Sequence, residues 1–182
     1  TQTLTLKKSA QRTVEDHYQL STIKQSQVDV CANELTLSYA QKGKHVMDII
    51  FRVSNHDVAY RYQLLPVGHR TSCVVQGEAS AFVVPQGTTS FLCPQAAAMS
   101  GWERTMPSYE TEYAFDDAVG KNGRGFGYTF PCLFKVALPQ NKEGWLLISE
   151  TGVDGKYCAS HLAGMQGGKY IIAFPMPDEC NG

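Results

Sequence analysis

Along most of the chain, apolar and polar side chains alternate in short bursts, and glycine, proline or asparagine ends each burst. From Glu34 the run ELTLSY sets Leu35, Leu37 and Tyr39 inward on a strand and Thr36 and Ser38 outward. It ends in the turn-like Gln41-Lys42-Gly43-Lys44. HVMDIIFRVSN follows, bounded by Ser54-Asn55-His56-Asp57. VAYRYQLLP then alternates Val58, Tyr60, Tyr62 and Leu64 against Ala59, Arg61 and Gln63, so three strands in a meander are predicted. SCVVQGEASAFVVP reads as two short strands about Gly77-Glu78, TTSFLCP as another, and QAAAMSGWER as helix-compatible. FPCLFKVALP, GWLLISETGV and KYIIAFP complete the strands. The first 26 residues are polar and read either as a strand pair or as a loosely held lead-in. Frequent turns, no sustained helical period and many β-branched or aromatic residues predict an all-β, antiparallel sandwich. Residues 1–182 are expected to form a single domain.

The strictest alternation lies in Pro107 to Phe115, PSYETEYAF. A strand here sends Tyr109, Thr111, Tyr113 and Phe115 to one face, where rings are expected to seal a core, and Glu110, Glu112 and Ala114 to the other. At about 3.3 Å of rise per residue, the two glutamates stand roughly 6 to 7 Å apart. Like charges that close stay solvated, take up a proton or share a cation. The stretch is therefore either a wet sheet face or part of a hard-cation or sugar site.

Sixteen basic and 17 acidic residues leave a formal charge of -1, which gives no attraction for a phosphate backbone or an anionic membrane surface. No run is long and apolar enough to span a membrane. The start TQTLTLKKSA lacks the apolar core of a signal peptide. The six cysteines (31, 73, 93, 132, 158 and 180) have no zinc-type spacing. Cys93 and Cys132 stand in apolar runs and are expected to be free core thiols, with one or two disulfides left open.

Candidate chemistry is thin. GKNGRGFG carries Gly120, Gly123, Gly125 and Gly127, but a phosphate cradle must open a helix and here a strand follows, so the loop reads as a mobile surface connection. Trp102, flanked by Glu103 and Arg104, has the composition of a sugar-stacking platform, whereas Trp145 is assigned to the core. Glu150 falls at the end of an apolar strand, with Tyr157 or His161 as prospective partners. Glu110, Glu150, His161 and Trp102 are the candidate sugar contacts. A glycosidase needs two carboxyl groups flanking the scissile bond, and Glu110 and Glu112 project from one strand in one direction, so no catalytic residue is assigned.

ANELTLSY, VAYRYQL, GWERTMPSYETEYAF, FPCLF and GWLLISETGVDGKYCASHL, in that order, resemble the N-terminal domain of glycoside hydrolase family 97 from about Val30 onward. The family includes calcium-dependent α-glucosidases and α-galactosidases in which an N-terminal β-super-sandwich packs on a catalytic (β/α)8 barrel. The resemblance implies that the chain is a fragment of such an enzyme, inactive alone, with carbohydrate as substrate and the missing barrel as partner. It also implies a bacterial periplasmic or secreted location, with the signal peptide outside this chain. Glu112 matches the family's calcium-ligating glutamate, so calcium is the implied cofactor, with its site incomplete here. Open sheet edges leave a homodimer as an alternative. The competing readings are a free-standing carbohydrate-binding module and a purely structural domain.

Overall fold

The computed structural model describes residues 3–24, 26–69, 73–95, 113–154, 157 and 159–175. All strand pairs are antiparallel, and the fold belongs to the all-β, sandwich-like class predicted from the turn spacing. Among the described residues no helix is long and apolar enough to cross a membrane. The chain divides into two compact units, Thr1–Val74 and Val75–Gly182.

The first unit is a four-stranded meander: β1 (Thr5–Gln19), β2 (Gln27–Gln41), β3 (Lys44–Val53) and β4 (Val58–Leu64), in spatial order β1-β2-β3-β4. Lys42 (φ 49°) and Gly43 (φ 77°) form the two-residue turn between β2 and β3, both left-handed as a tight hairpin requires. Ser54 closes the next turn, its Oγ accepting the backbone N–H groups of His56 and Asp57 at 3.1 Å each. The polar opening segment is a strand after all. β1 pairs along β2 from Thr5↔Ala40 to Gln19↔Gln27 with one bulge after Leu6, and it is held by backbone bonds and cross-strand polar pairs, not by an apolar stripe. The face of β2 also differs from expectation. Leu35, Leu37 and Tyr39 are half-buried, while the buried positions, Ala32, Glu34 and Ala40, lie on the opposite face.

The second unit contains β5 (Ala81–Phe82), β6 (Thr89–Pro94), β7 (Ala114–Ala118), β8 (Tyr128–Leu138), β9 (Lys142–Ile148), β10 (His161–Leu162) and β11 (Tyr170–Ala173). Its sheet runs β5-β11-β10-β8-β6-β7, with β9 also on β8. β8 is the keel of this sheet: β6 pairs along one edge, while β10 and β9 share the other. Leu92, Tyr128, Cys132, Phe134, Ile148, Leu162 and Tyr170 build the core with Val84. Burying this many large side chains, at about 1.5–3 kcal/mol each, is the main stabilisation of the unit. Cys93 and Cys132 are buried free thiols, as their apolar context predicted, and Cys31 and Cys73 are exposed free thiols.

Three expectations are corrected here. The stretch before Gly77 that was read as a strand is irregular, with Val74 and Val75 exposed. Trp145 is 69% exposed, because β9 turns it to the face opposite Ile148. Of the Pro107 to Phe115 stretch only its last three residues are described, and there Tyr113 and Phe115 are exposed at 42% and 81%, their rings packing on Phe91 at the surface, with centroids 4.7 and 4.8 Å away, instead of sealing a core. The helix-compatible QAAAMSGWER lies outside the described residues, apart from Gln95.

Candidate functional site

Three polar assemblies stand out. In the first unit the register places Arg12 of β1 and Arg52 of β3 on either side of Glu34 of β2. The Arg12 Nε donates to Glu34 Oε1 and the Arg52 Nε to Oε2, both at 2.6 Å. Glu34 is only 6% exposed, yet its carboxyl is held below the ordinary range, because the hydrogen bonds from Arg12 and then Arg52 favour the charged form more than burial opposes it. The motif is a charge clamp across three strands. Nothing in the local sequence flags it, since the partners are 22 and 18 positions away.

In the second unit, Glu150 follows β9 and gathers the chain that returns to β10. Its Oε1 accepts from the Tyr157 hydroxyl at 2.8 Å, from the Ser160 backbone N–H at 2.8 Å and from the Ser160 hydroxyl. Of the two prospective partners of Glu150, Tyr157 forms the hydrogen bond, while His161 is buried at the start of β10, with its backbone paired to Ala173. Ser160 was not anticipated. Burial, with the Glu150 contact adding to it, pushes the Tyr157 phenol up to about 12, so it donates throughout the neutral range. This arrangement braces a loop. All three bonds fall on one oxygen of Glu150 and tie the returning chain to the end of β9.

The third assembly is the glycine-rich loop. A cavity of about 460 Å³ opens there, walled by Leu92, Pro94 and Tyr128 and rimmed by Asp117, Lys121, Asn122 and Arg124. The loop is tightly seated. Gly123 and Gly127 are buried, a Cβ on Gly123 would touch the Tyr128 ring at 3.2 Å, and one on Gly127 would meet the Leu162 carbonyl oxygen at 2.0 Å. The Gly127 backbone carbonyl in turn accepts the Gln95 N–H at 2.8 Å. The loop lies at the surface as expected, with Lys121, Asn122, Arg124, Gly125 and Phe126 exposed, but Gly123 and Gly127 anchor it by close backbone packing, and the strand expected after it is β8. An apolar wall with amide, guanidinium and carboxylate groups suits hydroxyl-rich ligands. Asp117 is paired with Lys121 at 2.6 Å, so the cavity offers no pair of free opposed carboxyl groups.

Trp102, Glu110 and Glu112 lie outside the described residues. Calcium takes six to eight oxygen ligands. Among the described residues no group of three or more His, Cys, Asp or Glu side chains is arranged to hold a metal ion.

Fold and sites together define an all-β domain in which Glu34 and Glu150 brace strands and loops. The chain belongs to the glycosyl-hydrolase 97 N-terminal family, whose model matches residues 1–177. Among solved structures, a beta-arabinopyranosidase is 44% identical, with a TM-score of 0.87 over 98% of this chain and 28% of its own. A Glycoside Hydrolase Family 97 enzyme from Pseudoalteromonas sp. strain K8, in complex with panose, is 18% identical with a TM-score of 0.67, over 94% of this chain and 24% of its own. The same enzyme in complex with acarbose gives 17% and 0.67 over the same shares. At those identities the Pseudoalteromonas likeness shows the fold alone. No curated protein matches. The chain thus spans about a quarter of the length of the solved chains it matches.

Proposed function

We propose that this chain is the non-catalytic N-terminal domain of a family 97 glycosidase, packing on the catalytic barrel, shaping the rim of its active site and lending Glu112 to a bound calcium ion. The carrying observation is the family match over residues 1–177. Catalytic acids and the remaining cation ligands then come from the rest of the enzyme. When bound, calcium would supply electrophilic stabilisation of charge at the reacting sugar, while this chain's Glu112 would help fix its position.

The 44% identity to a beta-arabinopyranosidase favours a pentopyranoside substrate over a glucoside. A β-L-arabinopyranose ring repeats the hydroxyl configuration of α-D-galactopyranose without the exocyclic hydroxymethyl group. An active site derived from the α-galactosidase type would therefore need only a filled C6 pocket. A periplasmic or secreted location goes with this reading, since the polysaccharide substrate is outside the cell.

The test is Glu112→Gln in the full-length enzyme. Activity at limiting calcium is expected to fall at least tenfold and to recover partly when calcium is raised; an unchanged calcium titration refutes the ligand role. Assays with aryl β-L-arabinopyranoside, α-galactoside and α-glucoside are expected to rank the enzyme's rates in that order.

A further inference from the structure

The outer face of the second unit's sheet carries an apolar row that its own core does not use. Phe91 of β6 stacks on Tyr113 at 4.7 Å and packs against a tilted Phe115 at 4.8 Å. Across the ladder Phe91 pairs with Leu133 of β8, and Leu133 pairs with Leu147 of β9. Trp145 lies two residues from Leu147 on the same face, directly opposite Lys135. The row crosses four adjacent strands, which at about 4.8 Å per strand makes it roughly 14 Å long. Its outer members, Phe115, Trp145 and Leu147, are 81%, 69% and 60% exposed. The opposite face of the same strands, with Leu92, Cys132, Phe134 and Ile148, is the buried core. Contiguous exposed apolar surface of this kind marks an interaction site, not the ordinary scatter of single apolar residues.

The geometry points to this row as the surface on which the catalytic body of the same polypeptide docks, a claim that rests on the domain reading above and says which face makes the contact. Three observations choose that occupant. The row joins its aromatic rings to Leu133 and Leu147, and its cation Lys135 is already bound to Glu143 at 2.8 Å, so it offers few of the placed polar groups that orient a sugar. The solved chains of the family run well past the matched stretch, which fills only 28% and 24% of them, so a large tethered body is at hand. A tethered partner faces the row at millimolar effective concentration, far above any second copy of the chain. A tryptophan and three further aromatics at the contact are also residue types enriched at protein interfaces.

The experiment places the photo-crosslinking residue p-benzoylphenylalanine at Trp145, and separately at Phe115, in the full-length enzyme. These side chains are exposed in the domain, so neither replacement disturbs its core. Irradiation is expected to yield intramolecular crosslinks to peptides downstream of residue 182. In parallel, hydroxyl-radical oxidation of Trp145 in the native wild-type enzyme should run at least fivefold slower than in the denatured enzyme, while Tyr18 of the first unit labels readily. Crosslinks confined to residues 1–182, a crosslinked dimer, protection that fades on dilution, protection that appears only when oligosaccharide is added, or oxidation of Trp145 as fast native as denatured each overturns the proposal. A downstream crosslink with a calcium titration unchanged by Glu112→Gln keeps the docking face and sinks the calcium role; the reverse pattern sinks the face alone.

Discussion

Glu34 is held between two guanidinium groups, and the sign of its effect on stability follows from its lowered carboxyl. A folded-state value below the ordinary 4.5 contributes stability above that pH, and the contribution disappears as pH falls through the lowered value. Asp48, lowered by its Ser38 hydrogen bond and then by His45, acts in the same direction. Glu34→Gln is therefore expected to lower Tm by about 2–4 °C at pH 7. It should also flatten the loss of Tm below pH 4.5, measured by thermal melts across the acid range. Tyr157 moves the other way: its phenol is raised to about 12, so its contribution is complete below pH 10 and is lost as pH climbs through 12. Burial also raises the phenols of Tyr113, Tyr128 and Tyr170, so a tyrosinate absorbance titration should show a late phase of several tyrosines, from which Tyr157→Phe removes one phenol's share. At the same scale, Cys132 is pushed up to about 12 by burial, while Cys31 and Cys73 are exposed. A thiol reagent should label Cys31 and Cys73 in the native protein and reach Cys93 and Cys132 only after unfolding. The buried thiols were legible from the runs around them. Glu34 was not, because only the strand register brings Arg12 and Arg52 to it.

Among the elements, the glycine-rich loop shows what a local motif does and does not say. Its glycines predicted a turn before a strand, and β8 follows. Their necessity depends on what lies across from them. Gly127 has φ +91° and its Cβ would strike the Leu162 carbonyl of β10, whereas Gly125 has φ +92° and open space around it. Gly127→Ala should therefore cost at least about 3 kcal/mol and abolish soluble expression or cooperative melting, while Gly125→Ala should cost about 1 kcal/mol, from backbone strain alone. Comparison of the two melts checks the distinction. β1 teaches the converse. Its sequence has no apolar alternation to read, since nearly every side chain is exposed, and it is a strand because β2 offers it a full ladder of backbone partners and the matching polar pairs Arg12–Glu34 and His17–Asp29.

At the level of the whole molecule, the proposed function predicts that the 182-residue chain alone hydrolyses no aryl glycoside and that the full-length protein does. Hydrolysis by the isolated chain would overturn the accessory-domain reading. Turn residues and alternation determined the all-β class and the meander from β2 to β4. The ordered short motifs carried the family, because local backbone preference and side-chain period are written residue by residue. Which face of each strand is covered was decided in three dimensions. A period of two separates Tyr113 and Phe115 from Ala114, and Leu35 from Glu34, but it assigns neither set to the interior. That assignment depends on what packs against the sheet, and residues far apart in the chain supply it: Leu162 beneath Gly127, Ser160 on Glu150, and two arginines around Glu34.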